Sequence, residues 1–509
     1  MRTAKACRGL LAGLSVALWA SAAGAAGSAG VVPADGSHVY IVTAHGAAAE
    51  PDVISTIGIQ AAIDACSADR GGTVLVPRGQ FRTGTLHLRS GVELHIARGA
   101  VLRASLSEAD YDGRRLIWAQ GCSDIAITGP GVIDGEGPSF PHGTLRPHLI
   151  DLYDCENVAL SSVTLRNSPA WTVHLLRCRH VRADGVVIEN DVNRTNSDGI
   201  NPDGCRDVRI SDCYIQTGDD SIAVKCTADA GPENPTEGVT VGNCVLVTRK
   251  TALKIGTETH GDIRDCVFSN ITILGSSRGI GIWMRDGATI ERLAFSNITM
   301  SLQEFDGEDK SGEPIRITLD RRRPESPLGR VRDIRISDLA VDTPWRSLLA
   351  GHPERPLEHI TVEGMTVRQH APADKPAEWS VFDCRNIDGL RLRDVRVDRA
   401  EDDAPGWASV VRAEDVRGLS VLGLVGRSGR PTVGEWGTVV DIINCRGALI
   451  DQCAALPGTH FFAVVRGAES RGIVLGRNNL APARWNVHTA TEVPEGAVTT
   501  AGPAPDESP

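Results

Sequence analysis

Residues 196–225 read NSDGINPDGCRDVRISDCYIQTGDDSIAVK. In "DVRI" and "DCYI" apolar residues alternate with polar ones, and Gly, Asp or Cys interrupts each run after a few positions. That is the signature of short strands separated by tight turns. The same unit recurs outward in both directions. "TVLVPRG", "GVELHIARGAVL", "DIAITGPGVIDGEG", "NVALSSVTLRNS" and "HVRADGVVIEN" precede it. "GVTVGNCVLVT", "DIRDCVFSNITI", "RLAFSNITM", "DIRISDLAV", "HITVEGMTV", "GLRLRDVRV" and "GLSVLGLVG" follow. Self-similarity at a period of about 20–50 residues marks a repeat architecture. The strands are too short, and the turns too close together, for a sheet wound with helices. The expected fold is all-β, a single-stranded parallel β-helix in which each unit is one coil. Residues 55–65, with Ile57, Ile59, Ala61, Ala62 and Ile63, predict a short N-terminal capping helix.

The central coils align on Val173, Ile200, Ile222, Leu253 and Ile280, in "WTVHLL", "DGINPD", "DSIAVK", "TALKIG" and "RGIGIW". Successive coils should lie one inter-strand distance apart, about 4.8 Å. Side-chain alternation turns the aligned aliphatics inward and arranges their neighbours in external columns. One column holds His174, Asn201, Ala223, Lys254 and Gly281. A second holds Leu176, Asp203, Lys225, Gly256 and Trp283. A third, beyond the aliphatics, holds Trp171, Asp198, Asp220, Thr251 and Arg278.

Composition narrows the function classes. The chain has 509 residues, a length a solenoid absorbs without dividing into compact domains. A net charge of -11 without a long basic patch argues against a nucleic-acid partner. Arg2, Lys5 and Arg8 precede a short apolar run at residues 9–20 and then small residues, the pattern of a secretory signal. That run is too short to span a bilayer. The expected organisation is a signal peptide at 1–26, the catalytic β-helix at 36–480 and a flexible tail at 481–509, in a secreted or periplasmic protein. No membrane association is expected. Of the 13 cysteines, 12 lie beyond the signal. Cys155, Cys178, Cys205, Cys213, Cys244 and Cys266 recur near turns, where small apolar side chains stack. No cysteine spacing suits zinc, so no metal or other cofactor is expected.

Two short acidic clusters carry the candidate chemistry: Asn201-Pro202-Asp203 and Gly218-Asp219-Asp220. Cleaving a glycosidic bond takes one carboxyl to protonate the leaving oxygen and another to activate water. Crowded carboxylates repel, which raises at least one pKa and separates acid from base. Asp and Asn also cap turns throughout any β-helix, and Asp134, Asp184, Asp207 and Asp212 are assigned to that class.

"NSPAWTVHLLRC", "NSDGINPDGCRDVRISDCYIQTGDDSIAVK" and "IQAAIDAC…GGTVLVPRGQFRTG" resemble polygalacturonase-type glycoside hydrolases of family 28. The resemblance runs from about Gly58 to Met300. It implies a right-handed parallel β-helix that hydrolyses mostly pectic polysaccharides with inversion and without metal. It also implies Asp219 as general acid, Asp203 and Asp220 as the pair holding and deprotonating water, and Asn201 as their hydrogen-bonding orienter. Two departures stand out. Where the family has Gly-His-Gly, this chain has Lys250-Thr251-Ala252; where it has Arg-Ile-Lys, this chain has Gly281-Ile282-Trp283. Losing those cations argues against a galacturonate at that position, while Trp283 offers a face for stacking on a sugar ring.

His174, Lys225, Lys254, Trp283 and Arg278 complete the candidate substrate-binding set, with Glu258, His260, Arg285 and Trp171 as weaker candidates. The partner expected is a carbohydrate polymer or oligosaccharide, pectin-related but not plain polygalacturonate. Two other readings stay open: a polysaccharide lyase of the same fold, and a non-catalytic carbohydrate-binding β-helix. Retention of all three aspartates weighs against the second.

Overall fold

The computed structural model describes residues 38–140, 145–305, 311–370, 379–399, 408–428 and 437–501. The expected signal peptide lies outside them. The chain coils into a right-handed parallel β-helix, the hand that parallel crossovers take. Helix α1 (Thr56–Ala68) closes its N-terminal end, burying Ile59, Ala62, Ile63 and Cys66 against the first coils while Ile57 stays exposed.

Three parallel ladders run along the coil. One carries the candidate site and includes five strands: β1 (Val173–Leu176), β2 (Ile200–Asp203), β3 (Ile222–Cys226), β4 (Thr251–Thr259) and β5 (Arg278–Met284). Their register pairs Val173 with Ile200, Ile200 with Ile222, Ile222 with Leu253 and Leu253 with Ile280, as the aligned aliphatics predict. From Ile263 onward the other two ladders merge into long bent strands such as Ile263–Ser276, which pairs with two separate strands of the preceding coil.

The interior is a stack of Ile, Val and Leu with occasional aromatics, such as Phe268 and Phe295, whose rings lie parallel with centroids 4.7 Å apart. Asp207 and Asp212 hold positive φ at the turns, as capping residues do. All twelve cysteines from Cys66 on are free thiols. Those of Cys178 and Cys205 donate to Leu152 and Leu175 carbonyls of the preceding coil, at 3.2 and 3.0 Å.

The expected flexible tail is instead part of the coil as far as it is described. Strands Trp485–Thr489 and Val498–Thr500 pair with Phe461–Arg466 and Arg471–Leu475. Val487, Val493 and Ala497 bury the few apolar side chains there, and backbone pairing with the preceding coil compensates for a composition poor in β-formers. Among the described residues no helix is long and apolar enough to cross a membrane.

Candidate active site

Asp198 and Asp220 stand just before β2 and β3, at equivalent places on consecutive coils. The Thr172 amide donates to the Asp198 carbonyl at 2.8 Å, and the Gly199 amide to the Asp220 carbonyl at 2.9 Å. Asp219 is adjacent and more exposed than either. Its Oδ2 accepts from the Asn196 amide at 2.9 Å and its Oδ1 from the Asp220 amide at 3.0 Å. Gly218, before it, must be glycine: a Cβ there would lie 2.3 Å from the Arg194 carbonyl oxygen.

Two lysines reach over this cluster, Lys225 buried and Lys254 half-buried. Lys254 Nζ lies 2.6 Å from Asp220 Oδ2, and Lys225 Nζ lies 3.2 Å from Asp198 Oδ2 and 4.3 Å from the Trp171 ring centroid. Burial pushes the Asp198 carboxyl up to about 7 against the attraction of Lys225, with Asp220 and Asp219 adding repulsion. Burial, and then the neighbouring Asp220 charge, also hold Asp219 above the usual carboxylate range. Burial works against the charge of both ammoniums, but their carboxylate partners outweigh it and raise both pKa values.

The structure places Asp203 in a different network. It is fully buried, and both of its oxygens are engaged. Thr227 donates from its amide and from its hydroxyl, each at 2.7 Å, and His174 Nε2 lies 3.2 Å from Oδ2. On its other side His174 Nδ1 meets Asp151 Oδ1 at 2.8 Å. Burial opposes a charge on this imidazole, but hydrogen bonds to the two carboxylates outweigh it and raise its pKa. Burial likewise pushes Asp151 up, and its two histidine partners more than reverse that, to about 2. His148, Asp151 and His174 are residue types a cation takes, but both His174 nitrogens are already engaged with carboxylates. No hydrogen bond joins the Asp203 side chain to Asp219 or Asp220 among the described residues. Asn201 does not orient the cluster either: its buried amide has no hydrogen-bond partner in the structure.

The second predicted column breaks at β4. Val224 pairs with Ile255 but Cys226 with Thr259, so a bulge displaces Gly256 from its expected place. Glu258, on that bulge, lies 3.7 Å from Lys225 Nζ. Thr251, in the place of the family histidine, is buried, and its amide donates to Asp220 Oδ1 at 3.2 Å. Trp283 lies over Gly281, where an added Cβ would come within 2.2 Å of the indole Cζ3. The two departures at this coil are therefore coupled: the ring occupies the space that any side chain at 281 needs. Lys254 Nζ stands 5.8 Å from the Trp283 ring. Arg278 pairs with the buried Glu313 at 3.0 Å, and Arg316 pairs with the same carboxylate. His260 turns to Asp286, at 3.8 Å.

The family model for glycosyl hydrolases family 28 matches residues 66–321, half of the chain. The chain belongs to that family. A Vitis vinifera protein named "Probable polygalacturonase" is 28% identical over 70% of this chain and 78% of its own length. The Dickeya chrysanthemi exo-poly-alpha-D-galacturonosidase is 24% identical, over 48% of this chain and only 51% of its own length. The exopolygalacturonase of Thermotoga maritima superposes with a TM-score of 0.59, covering 72% of this chain and 92% of that one at 21% identity, and so shares the fold.

As a family 28 glycoside hydrolase, the protein acts on O-glycosyl bonds. Family membership decides for hydrolysis over the lyase and binding-protein readings. Sequence reasoning passed over Asp198 and Asn196 as site residues and named Glu258 only among the weaker candidates. Asp198 carried a signal, since it aligns in one column with Asp220. What the sequence does not mark is the bulge that aims Glu258 at Lys225.

Proposed function

We propose that this family 28 enzyme cleaves a pectin-related glycan with inversion, using Asp219 as general acid and Asp198 with Asp220 to hold and deprotonate water. The observation that carries this reading is the convergence of Asp198, Asp219 and Asp220 under Lys225 and Lys254. Asp219 is the most exposed of the three, and burial with the Asp220 charge favours its protonated form, which an acid needs. Asp220 is fixed in place for the role of base by an ammonium 2.6 Å from Oδ2 and a backbone amide 3.2 Å from Oδ1. Asp198 takes the role expected of Asp203, whose lone pairs are engaged by Thr227 and His174.

The substrate is pectin-related by likeness to relatives named polygalacturonases, but not plain polygalacturonate. Gly281 and Trp283 replace the family cations, and the indole beside Lys254 suits the apolar face of a sugar. The N-terminal pattern of residues 1–26 supports export to the periplasm or beyond. A screen of defined plant-wall oligosaccharides, with products read by mass and anomeric configuration by NMR, tests the proposal. A product of inverted configuration from a pectic fragment supports it; retention, or an unsaturated product, refutes it.

A further inference from the structure

The family cations are gone from Gly281 and Trp283, and Arg278 is neutralised by Glu313, yet positive charge collects on the other flank of Asp219. Arg146 and Arg194 both donate through Nε to one oxygen, the buried Pro169 carbonyl, at 2.7 and 3.2 Å. Two guanidiniums therefore meet at a single acceptor. Arg146 continues to the Thr195 carbonyl and, at 3.4 Å, to Asn196 Oδ1. The Asn196 amide is the one that holds Asp219 Oδ2 at 2.9 Å. The loop carrying Arg194 presses on Gly218, so the pair lies immediately beside the candidate acid.

What these guanidiniums lack is a carboxylate. Several other arginines on the coils are paired with carboxylates, as Arg103 is with Glu136 and Arg166 with Asp134. Among the described residues neither Arg146 nor Arg194 forms an ion pair; their acceptors are carbonyl oxygens and an amide. Burial lowers the Arg146 pKa, Arg194 and Arg114 lower it further, and Asp219 is the carboxylate that opposes them. Arg194 donates through Nε alone, so its two Nη groups have no acceptor among the described residues, and the guanidinium fork matches a carboxylate.

We propose that Arg146 and Arg194 form a carboxylate-binding subsite beside Asp219 that receives an acidic sugar of the substrate. This rests on the hydrolase reading above and adds to it that acid recognition has moved to the opposite side of the carboxylates from Trp283. The substrate then presents a uronate to the arginines and a stacking sugar to the indole.

The test is calorimetric binding of a galacturonate trisaccharide and its methyl ester, with Asp219→Asn protein as background to prevent turnover. The acid should bind at least about tenfold more tightly than the ester, the scale of one charge-assisted contact. Adding Arg194→Gln should abolish that preference and leave ester affinity unchanged. Arg194→Lys should retain part of it, with melting temperatures confirming that each variant folds. Equal affinity for acid and ester, no binding by either, or an equal loss for both in Arg194→Gln would overturn the proposal. Hydrolysis is read separately on the unsubstituted enzyme. Acid-selective binding without cleavage of any pectic fragment refutes the proposed reaction alone; cleavage with charge-blind binding refutes the subsite alone.

Discussion

Lys225 is paired in register with Asp203, yet its ammonium sits 3.2 Å from Asp198, on the other edge of the same coil. The side chain crosses the face of the strand to reach it, passing over Trp171 and leaving Asp203 to Thr227 and His174. On the proposed mechanism Lys225 is a positioning residue for the water-holding carboxylate. Lys225→Met removes the cation that opposes the effect of burial on Asp198, so that carboxyl rises further above about 7. The expected result is a kcat lower by about tenfold or more at pH 5–6, recovered in part at higher pH, with the pH–rate profile as the check.

The acid limb and the base limb of that profile have assigned owners. Asp219 must carry its proton to act, so activity should fall as pH rises through its folded-state pKa, which lies above the usual carboxylate range. Asp220→Asn removes a like charge and should lower that pKa. Carbon-13 NMR titration of the Asp219 carboxyl in both proteins measures the shift, and an unchanged or raised value contradicts the assignment.

On the proposed mechanism the Asp151–His174–Asp203 chain serves the fold and not the reaction, and its loss should appear as stability. Asp151 titrates at about 2 when folded, below its unfolded value. Its contribution is therefore present above the unfolded pKa near 4 and lost as pH falls through about 2, and amounts to about 2–3 kcal/mol. Asp151→Asn should lower unfolding free energy by that amount at pH 5–7, with the difference narrowing toward pH 2. Denaturant titrations across that range check it.

Trp283 and Gly281 should behave as one unit. Trp283→Ala removes the stacking face and should raise KM about tenfold with little change in kcat, a loss near 1–2 kcal/mol. Gly281→Ala should do much the same, because its methyl group and the indole need the same space. If Gly281→Ala leaves KM unchanged, the ring does not contact the sugar.

Much of this was legible in the sequence because a coil repeats. Aligning "DGINPD" on "DSIAVK" is enough to predict the register of Ile200 with Ile222 and to put Asp198 in line with Asp220. The difficulty was a local duplication: Asn196-Ser197-Asp198 and Asn201-Pro202-Asp203 both have the form Asn-x-Asp within eight residues. Alignment puts only the first in line with Asp220, and side-chain packing removes the second, since Thr227 and His174 come from other coils to engage Asp203. Arg146 was equally hidden. Its partners Thr195 and Asn196 lie 49 and 50 residues away, and no periodicity links a loop to a loop.

The most direct test compares kcat for Asp198→Asn and Asp203→Asn on whichever pectic oligosaccharide the enzyme cleaves, with folding of both confirmed by circular dichroism. Removing a reacting carboxylate costs about 100-fold or more. The account predicts that loss for Asp198→Asn, and for Asp203→Asn a lower melting temperature with kcat within about tenfold of the parent. Near-full activity in Asp198→Asn, with activity abolished in a stably folded Asp203→Asn, would contradict it.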